Sequence, residues 1–376
     1  MKDIVHIDLN AFFAQAETIK NPSLEGKPVA VGYDGSRGII STANYIARGK
    51  GVHSARPTSR AKDICPDLIV VPVHFTLYRE YSRQFFSFLK ERYPILEQAS
   101  IDECYIDRTG ILPKENEHDY LFDLQRELYK VTRLKCSIGK GWNKFLAKRG
   151  SDYKKPCGLT IFTKDNRESI LYPIPIENRY GIGKKTAPRL KRLGINTIGD
   201  LAISQDSQVK RVLGNSYEYY KGLTRGIGDD FVDNSAFDPK SVSAERTFSS
   251  DLSDYQEIQS RIMTCCEDIS QSLKKHGKKA TTIALKLRND SFVTKTKRRK
   301  LPSAVNEVSG LFSSARKIFD RIYRDELVRL IGVCAEKVVS TDEEKTGDDD
   351  FINDINKSLV EGGKITKGRK SKNGPS

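Results

Sequence analysis

The amino-acid sequence predicts an α+β protein of several domains, and three patterns carry that expectation. Strand-like and helix-like periods alternate up to about residue 163. Short helices separated by glycine turns follow from about 165 to 227. A self-contained βαββαβ order then occupies about 243–335. The 376 residues leave room for two to four domains at about 150 residues each.

Taken in order, residues 2–9 read as a buried strand in which Ile4, Val5 and Ile7 lead into Asp8, and 11–19 as an amphipathic helix. A region rich in Gly, Lys and Arg ends near Pro72. Residues 76–93 place Leu77, Tyr81, Phe85, Phe88 and Leu89 on one helical face. Next comes "ASIDECYID" (99–107), where Asp102 and Glu103 interrupt an apolar run. A helix at about 119–132, a strand at 135–139 and a helix from Asn143 to about Asp152 follow. A polar linker over 229–241 leads to strand 243–249, helix 254–276, strands 280–288 and 292–298, helix 306–324 and strand 327–335. In 280–288, Ile283, Leu285 and Leu287 alternate with Thr282, Ala284, Lys286 and Arg288, so one face packs on helices and the other stays open. Residues 339–376 read as a polar tail with little structure of its own, apart from a short helix at "FINDINKSL".

Charge narrows the function. Sixty-four Lys and Arg against 49 Asp and Glu give a net charge of +15, which suits a polyanion: nucleic acid first, an anionic membrane surface second. No apolar run reaches the ~18 residues of a membrane span, and MKDIVHIDLN lacks the apolar core of a signal peptide. The expectation is a soluble, cytoplasmic chain. Its seven cysteines form no C-x-x-C pair and read as reduced thiols rather than a zinc site.

Asp8 ends one apolar strand, and Asp102 and Glu103 lie in another. Hard oxygen donors of this kind suit Mg²⁺, and two such ions can clamp the oxygens of a phosphoryl or nucleotidyl transfer. Adjacent strand residues face opposite ways, so both acids reach one site only if a tight hairpin lies at Ser100–Asp102. Exposed edge acids or salt-bridge partners would give the same spacing. The run from 274 to 300 holds Lys274, Lys275, Lys278, Lys279, Lys286, Arg288, Lys295, Lys297, Arg298, Arg299 and Lys300, with Asp290 as its only acid. We read it as a phosphate-contacting face, the alternative being a merely solvated one.

Five segments occur in one order: "DLNAFFAQAE" (8–17), "STANYIARGKGVHS" (41–54), "SIDECYID" (100–107), "NKFLAK" (143–148) and "KPCG" (155–158). Together they resemble the Y-family (translesion) DNA polymerases, most closely the bacterial DNA polymerase IV group, over about residues 3–338. The resemblance implies a right-hand polymerase. Its palm would be 1–10 and 75–163, small fingers 11–74, a helical thumb 164–228 and a βαββαβ little finger 242–338.

It also implies roles. Asp8, Asp102 and Glu103, with the Leu9 carbonyl, would ligate two Mg²⁺, Mn²⁺ being able to substitute. The anions would then be neutralised by metals and a triphosphate rather than by protein partners. Tyr45, Arg48 and Lys155, with Thr42 a weaker candidate, would hold the incoming dNTP. Phe12 and Phe13 would line the nucleotide, Phe13 as the steric gate under the sugar, although the helix pattern alone makes it core. "GIGKKTA" (181–187) resembles a helix-hairpin-helix turn in which Gly181, Gly183, Lys184 and Lys185 approach a DNA phosphate. Lys286, Arg288, Lys295, Lys297, Arg298 and Arg299 would meet primer-template DNA.

Two stretches depart from the family pattern: Ala55–Arg56–Pro57, and Arg149–Gly150 where small or apolar helix residues are usual. No Gln-x-x-Leu-Phe-like peptide for a sliding clamp is evident near the C-terminus. The implied activity is template-directed, Mg²⁺-dependent, low-fidelity DNA synthesis without proofreading, by a monomer in the bacterial cytosol or nucleoid. The alternatives are a DNA-binding scaffold with weak or restricted nucleotidyl transfer, and a two-metal nuclease.

Overall fold

The computed structural model describes residues 1–111, 116–178 and 181–341. The chain divides into two compact units. One comprises Met1–Val31, Thr42–Ser54 and Lys62–Asn234; the other comprises Gly32–Ser41, Ala55–Ala61 and the chain from Ser235 onward.

The first unit is built on β1 (Ile4–Leu9), whose six residues are all buried. Along the chain after it come α1 (Phe12–Lys20), β2 (Val29–Gly32), β3 (Ile40–Ala43), α2 (Tyr45–Gly49), α3 (Thr58–Ile64) and β4 (Ile69–Val71), of which Gly32, Ile40, Ser41 and the first four residues of α3 fall in the second unit. Then follow α4 (Phe75–Lys90), β5 (Leu96–Gln98), β6 (Glu103–Asp107), α5 (Glu117–Thr132), β7 (Cys136–Gly141), α6 (Lys144–Tyr153) and β8 (Leu159–Ile161). The main sheet runs β5-β6-β1-β7-β8, and a smaller one β3-β2-β4. β1 is antiparallel to both β6 and β7, with Asp8 opposite Glu103 and His6 opposite Tyr105. Because faces alternate along a strand, Ile4, His6 and Asp8 share one face and Val5, Ile7 and Leu9 the other. His6 Nδ1 lies 2.8 Å from Ser151 Oγ, which assigns the Asp8 face to α6.

Two glycines let α6 lie close on that face. A Cβ on Gly139 of β7 would stand 2.0 Å from the Ala147 carbonyl oxygen, and one on Gly150 of α6 would stand 2.8 Å from Gly139 Cα. Gly150, a departure in the sequence pattern, is thus one half of a glycine-to-glycine backbone contact. At the far end of β6, Arg108 is almost fully buried and donates to Asp3 at 3.0 Å and to Glu117, which also accepts from Lys140 at 2.8 Å.

The short helices are α7 (Arg167–Leu171), α8 (Ala187–Lys191), α9 (Ile198–Ile203), α10 (Ser207–Leu213) and α11 (Tyr217–Thr224). Ile176, Ile182, Leu190, Leu201, Val209 and Tyr217 are buried in their common core. Thr197 caps α9 by accepting from the Asp200 amide at 3.1 Å.

The second unit contains β9 (Ser241–Leu252), α12 (Tyr255–Lys275), β10 (Lys278–Asn289), β11 (Thr294–Val305), α13 (Val308–Ile322) and β12 (Val328–Ser340). That is the predicted βαββαβ order, in an antiparallel sheet β11-β10-β12-β9. Ile258, Ile262, Cys265, Ile269 and Leu273 recur every three or four residues on α12 and pack with Ile283, Leu285 and Leu287 of β10. β11 runs seven residues beyond the predicted strand end and carries Pro302, tolerated because an edge strand need not donate on its outer side. β12 likewise extends past the predicted end at 335, to Ser340, so the expected tail boundary at 339 falls inside a strand. The remaining tail, including "FINDINKSL", lies outside the described residues.

Candidate active site

Asp8 stands near the end of β1, directly across the ladder from Glu103 at the start of β6. The residues before β6 form the expected hairpin. The Ala99 and Ser100 amides donate to the Glu103 carbonyl at 3.0 and 3.2 Å. Ser100 Oγ donates to Asp102 Oδ1 at 2.5 Å. The Leu9 amide donates to the Asp102 carbonyl at 2.9 Å, and Ser82 Oγ to the Ile101 carbonyl at 2.6 Å. The first of those two bonds pins the hairpin tip to the end of β1 and the second ties it to α4, so acids from chain segments about ninety residues apart are brought to one end of the sheet.

The acids have protein partners, contrary to the expectation that only metals and a triphosphate neutralise them. Lys148 Nζ donates to Asp8 Oδ2 at 2.8 Å and to Glu103 Oε2 at 2.6 Å. Lys155 Nζ donates to Asp8 Oδ1 at 2.6 Å. The physical reason is burial: partly desolvated carboxylates are costly unless paired. Lys148 is the functional residue that sequence reasoning left without a role. Its signal was its place on α6, one turn before Asp152, on the face that the small Gly139 and Gly150 bring onto β1.

Proton affinities follow from this wiring. Burial would raise the Asp8 carboxyl, but Lys148 and Lys155 outweigh it and hold Asp8 down at about 2. Burial also lifts Glu103, and its single lysine does not offset this, leaving it near 7. Asp102 is raised by burial and then by the neighbouring charge of Asp8. Lys148 and Lys155 lose by burial and gain more from Asp8, so both are raised. His6 is pushed well below its usual value by burial, then by Lys148, and is neutral; it is a packed strand residue, as expected.

Asn10 sets the distance between Asp8 and the Lys155 loop. Its Nδ2 donates to Ser137 Oγ at 2.8 Å, and its Oδ1 accepts from the Cys157 amide at 2.7 Å. The chain turns into α1 at Ala11, in the left-handed region at φ 46°. Phe12 and Phe13 open α1, both buried. The Phe13 ring stacks on Tyr78 at 4.2 Å and meets Phe75 edge-on at 5.9 Å. Tyr78 Oη donates to buried Glu17 at 2.5 Å, fixing that platform. Phe13 is therefore a packed ring, as the helix pattern suggests.

Arg48 stacks over Tyr45 at 4.9 Å and donates from Nε to the Ala43 carbonyl at 2.7 Å, while Thr42 Oγ1 accepts a weak 3.4 Å bond from its Nη2. The Tyr45 hydroxyl is buried with no hydrogen-bond partner among the described residues. Burial raises its pKa, and the charges it feels beyond that are Arg48, Lys155 and Asp8. The hydroxyl is thus a buried donor with no acceptor among the described residues.

Metal fit has two sides. Among the described residues no three His, Cys, Asp or Glu side chains are gathered closely enough to hold an ion as they stand, since Lys148 bridges two of the acids. The donor chemistry does fit, because Asp8, Asp102 and Glu103 are hard oxygen ligands backed by one rigid sheet.

Elsewhere the predicted residues separate. Gly181 has φ 89° and accepts from Tyr220 Oη at 3.0 Å; Gly183, Lys184 and Lys185 are exposed before the five-residue α8, and Tyr180 lies outside the described residues. The basic run does not form one face. Lys295, Lys297 and Arg299 stand opposite the buried Leu287, Leu285 and Ile283, whereas Arg298 and Lys300 stand opposite Ala284 and Thr282 on the open face with Lys286. Nor is Asp290 the only acid near it. Lys286 pairs with Glu245 at 2.8 Å, Lys295 with Glu326 at 2.5 Å, Arg298 with Glu336 at 2.8 Å and Lys278 with Asp238 at 2.6 Å. Arg288 donates to Thr294 at 2.8 Å. The sequence run hid these acids because they come from β9, β12 and the segments flanking the sheet. All seven cysteines are free thiols, as expected.

Comparison with known proteins places this geometry. Residues 7–152 match the impB/mucB/samB family, and residues 239–348 match the C-terminal domain of that family. A DNA polymerase IV of Bacillus velezensis is 37% identical over 339 residues, spanning 89% of this chain and 82% of that protein. Among solved structures, a Y-family DNA polymerase chimera superposes with a TM-score of 0.79 at 25% identity, covering 90% of this chain and all of that one. An insertion ternary complex of the Dbh DNA polymerase gives 0.63, with the same identity and coverage.

Proposed function

The chain belongs to the impB/mucB/samB family of Y-family DNA polymerases and is a DNA-directed DNA polymerase of the translesion type; on that premise we propose how its residues divide the work. The single observation that carries the assignment is the pair Asp8 and Glu103, opposite each other across the ladder beside the Asp102 hairpin, with Lys148 and Lys155 bound to Asp8. Asp8, Asp102 and Glu103, with the Leu9 carbonyl, would hold the family's divalent ions, in this reading two Mg²⁺. When bound, such ions supply Lewis-acid stabilisation to the attacking and leaving oxygens.

The chain's own residues do the rest. Lys155, Arg48 and Tyr45 bind and orient the triphosphate, with Lys155 exchanging Asp8 for a phosphate oxygen. Thr42 steadies Arg48. Lys148 keeps Asp8 and Glu103 together until that exchange and then neutralises developing charge beside them. Phe13, backed by Tyr78, presents its ring under the sugar, with Phe12 packed behind it. Primer-template DNA lies on the turn at Gly181–Lys185 and on the open face of the βαββαβ sheet.

In domain terms we propose a palm of 1–10 and 75–163, fingers of 11–74, a thumb of 164–228 and a little finger from 242 through the end of β12. Among the described residues no helix is long and apolar enough to cross a membrane. With bacterial relatives, the proposed place of action is the cytoplasm, with the chain as a monomer.

Asp102→Asn tests the reading. Removing this charge relieves its repulsion with Asp8, so the fold is expected to persist. Metal stabilisation is worth several kcal/mol, so primer extension is expected to fall by about a thousand-fold or more. Primer-template affinity should stay unchanged. Extension at near wild-type rate would remove the assigned site.

A further inference from the structure

Asp152 is the acid of the cluster that the assigned chemistry does not use, and three cations converge on it. Arg149 Nη2 donates to Asp152 Oδ2 at 2.6 Å. Lys155 Nζ lies 3.1 Å and Lys148 Nζ 3.7 Å from Asp152 Oδ1. The same two lysines hold Asp8, at 2.6 and 2.8 Å. Asp152 and Asp8 therefore compete for Lys155, and the outcome depends on how far Asp152 is satisfied by its third partner.

Arg149 is that partner, and its geometry is fixed from outside the helix. Its Nη1 donates to the Asn178 carbonyl at 2.7 Å, three residues before the turn at Gly181. Its Nε is buried without a partner among the described residues. A cleft of about 400 Å³, lined by Arg149, Asp152, Tyr153, Ile174, Pro175 and Asn178, lies beside it. The guanidinium is thus held by two hydrogen bonds and not by tight packing, so the side chain can be exchanged without crushing a core.

We propose that Arg149 is a positioning residue for nucleotide binding: it occupies Asp152, and so leaves Lys155 available to the triphosphate. Without the guanidinium, Asp152 would hold Lys155 and Lys148 more strongly, and an incoming nucleotide would have to draw Lys155 away from two acids. This inference rests on the reading of Lys155 as a triphosphate ligand. Arg149 touches neither nucleotide nor Asp8 in it.

The test measures dNTP Kd on the full chain bound to a dideoxy-terminated primer-template, together with KM and kcat on an extendable primer. Arg149→Met should raise Kd and KM by about five-fold, the size of one partly exposed charge pair, with kcat changed by less than about two-fold. Arg149→Lys, which keeps a cation on Asp152, should stay within about two-fold of wild type. Adding Asp152→Asn to Arg149→Met should bring Kd back to within about two-fold, because the competing acid is gone. A role confined to packing would not be rescued that way.

Lys155→Ala separates the layers. A raised Kd in Lys155→Ala with an unchanged Kd in Arg149→Met would overturn the Arg149 proposal alone. An unchanged Kd in Lys155→Ala would remove the Lys155 reading and the proposal with it. A raised Kd in Arg149→Met that Asp152→Asn fails to reverse would also overturn the proposal.

Discussion

Two double substitutions on one strand separate a DNA-facing surface from a solvated one. Arg298→Gln with Lys300→Gln removes two positive charges from the open face of β11; Lys297→Gln with Arg299→Gln removes two from the helix side. Both leave the pairing of β11 with β10 intact, because glutamine fits an exposed strand position and every backbone group is kept. For duplex DNA, each phosphate that the protein no longer neutralises should flatten the dependence of log K on log salt by about 0.9, so the open-face pair has an upper limit of about 1.8. On the same relation, one neutralised phosphate is worth up to about eight-fold in affinity at 0.1 M salt. Arg298 already pairs with Glu336 at 2.8 Å, so part of its charge is spent within the protein. The expected effect of the open-face pair therefore lies between one and two phosphates, about eight- to sixty-fold weaker binding at that salt. The helix-side pair should flatten the slope by less than half as much. The assay is a fluorescence anisotropy titration of a labelled primer-template at several salt concentrations, on two unrelated sequences. Equal slopes for the two variants, or a slope unchanged from wild type in the open-face pair, would refute the assignment of that face.

Two further outcomes are expected. Phe13→Val should admit ribonucleotides about ten- to a hundred-fold better, as the removal of an overpacked neighbour would, with a smaller fall in deoxynucleotide use; single insertions of dCTP and CTP read this, and equal loss of both sugars would leave Phe13 a core ring only. The ion pairs around buried Arg108 should fail in acid. Burial would raise Glu117, but Lys140 and Arg108 outweigh it and hold it below its usual value, and Lys2 and Thr109 do the same for Asp107. Acids depressed in the folded state contribute stability that is present above their unfolded values, about 4, and lost as pH falls through the folded ones. The thermal unfolding midpoint should therefore fall steeply below about pH 4. Glu117→Gln should be about 2 kcal/mol less stable at neutral pH, as the loss of charged hydrogen bonds to a buried guanidinium implies, and should show a shallower acid limb.

The alternation of strand and helix, the hairpin at Ser100–Asp102 and the βαββαβ order were legible because each depends on neighbours within a few residues. Asp8, Asp102 and Glu103 were legible as odd charges in apolar runs. The charge pairing of the site was not. Lys148 meets Asp8 across 140 positions, and only the sheet register and the Gly139–Gly150 contact determine that it does. The basic run misled for a related reason. Composition shows that it is cationic, but its division between two faces depends on the β10–β11 register, and its neutralising acids lie on other elements. Arg149 and Gly150, which looked like defects in a helix pattern, each have a specific neighbour in the fold.

β11 is an edge of its sheet, pairing among the described residues with β10 only, so every second one of its twelve residues turns its ladder groups outward. An edge that long can be extended by a strand from a second copy of the chain, the first step of self-association. Here such an encounter brings Lys295, Lys297, Arg298, Arg299 and Lys300 against the same five charges, and like charges in opposed strands repel. The run therefore guards the edge, in addition to the DNA contact proposed for it. Salt weakens both effects together. A buffer strong enough to strip nucleic acid from the protein during purification also removes the repulsion between naked edges, and the colloidal stability of the stock should be poorest there.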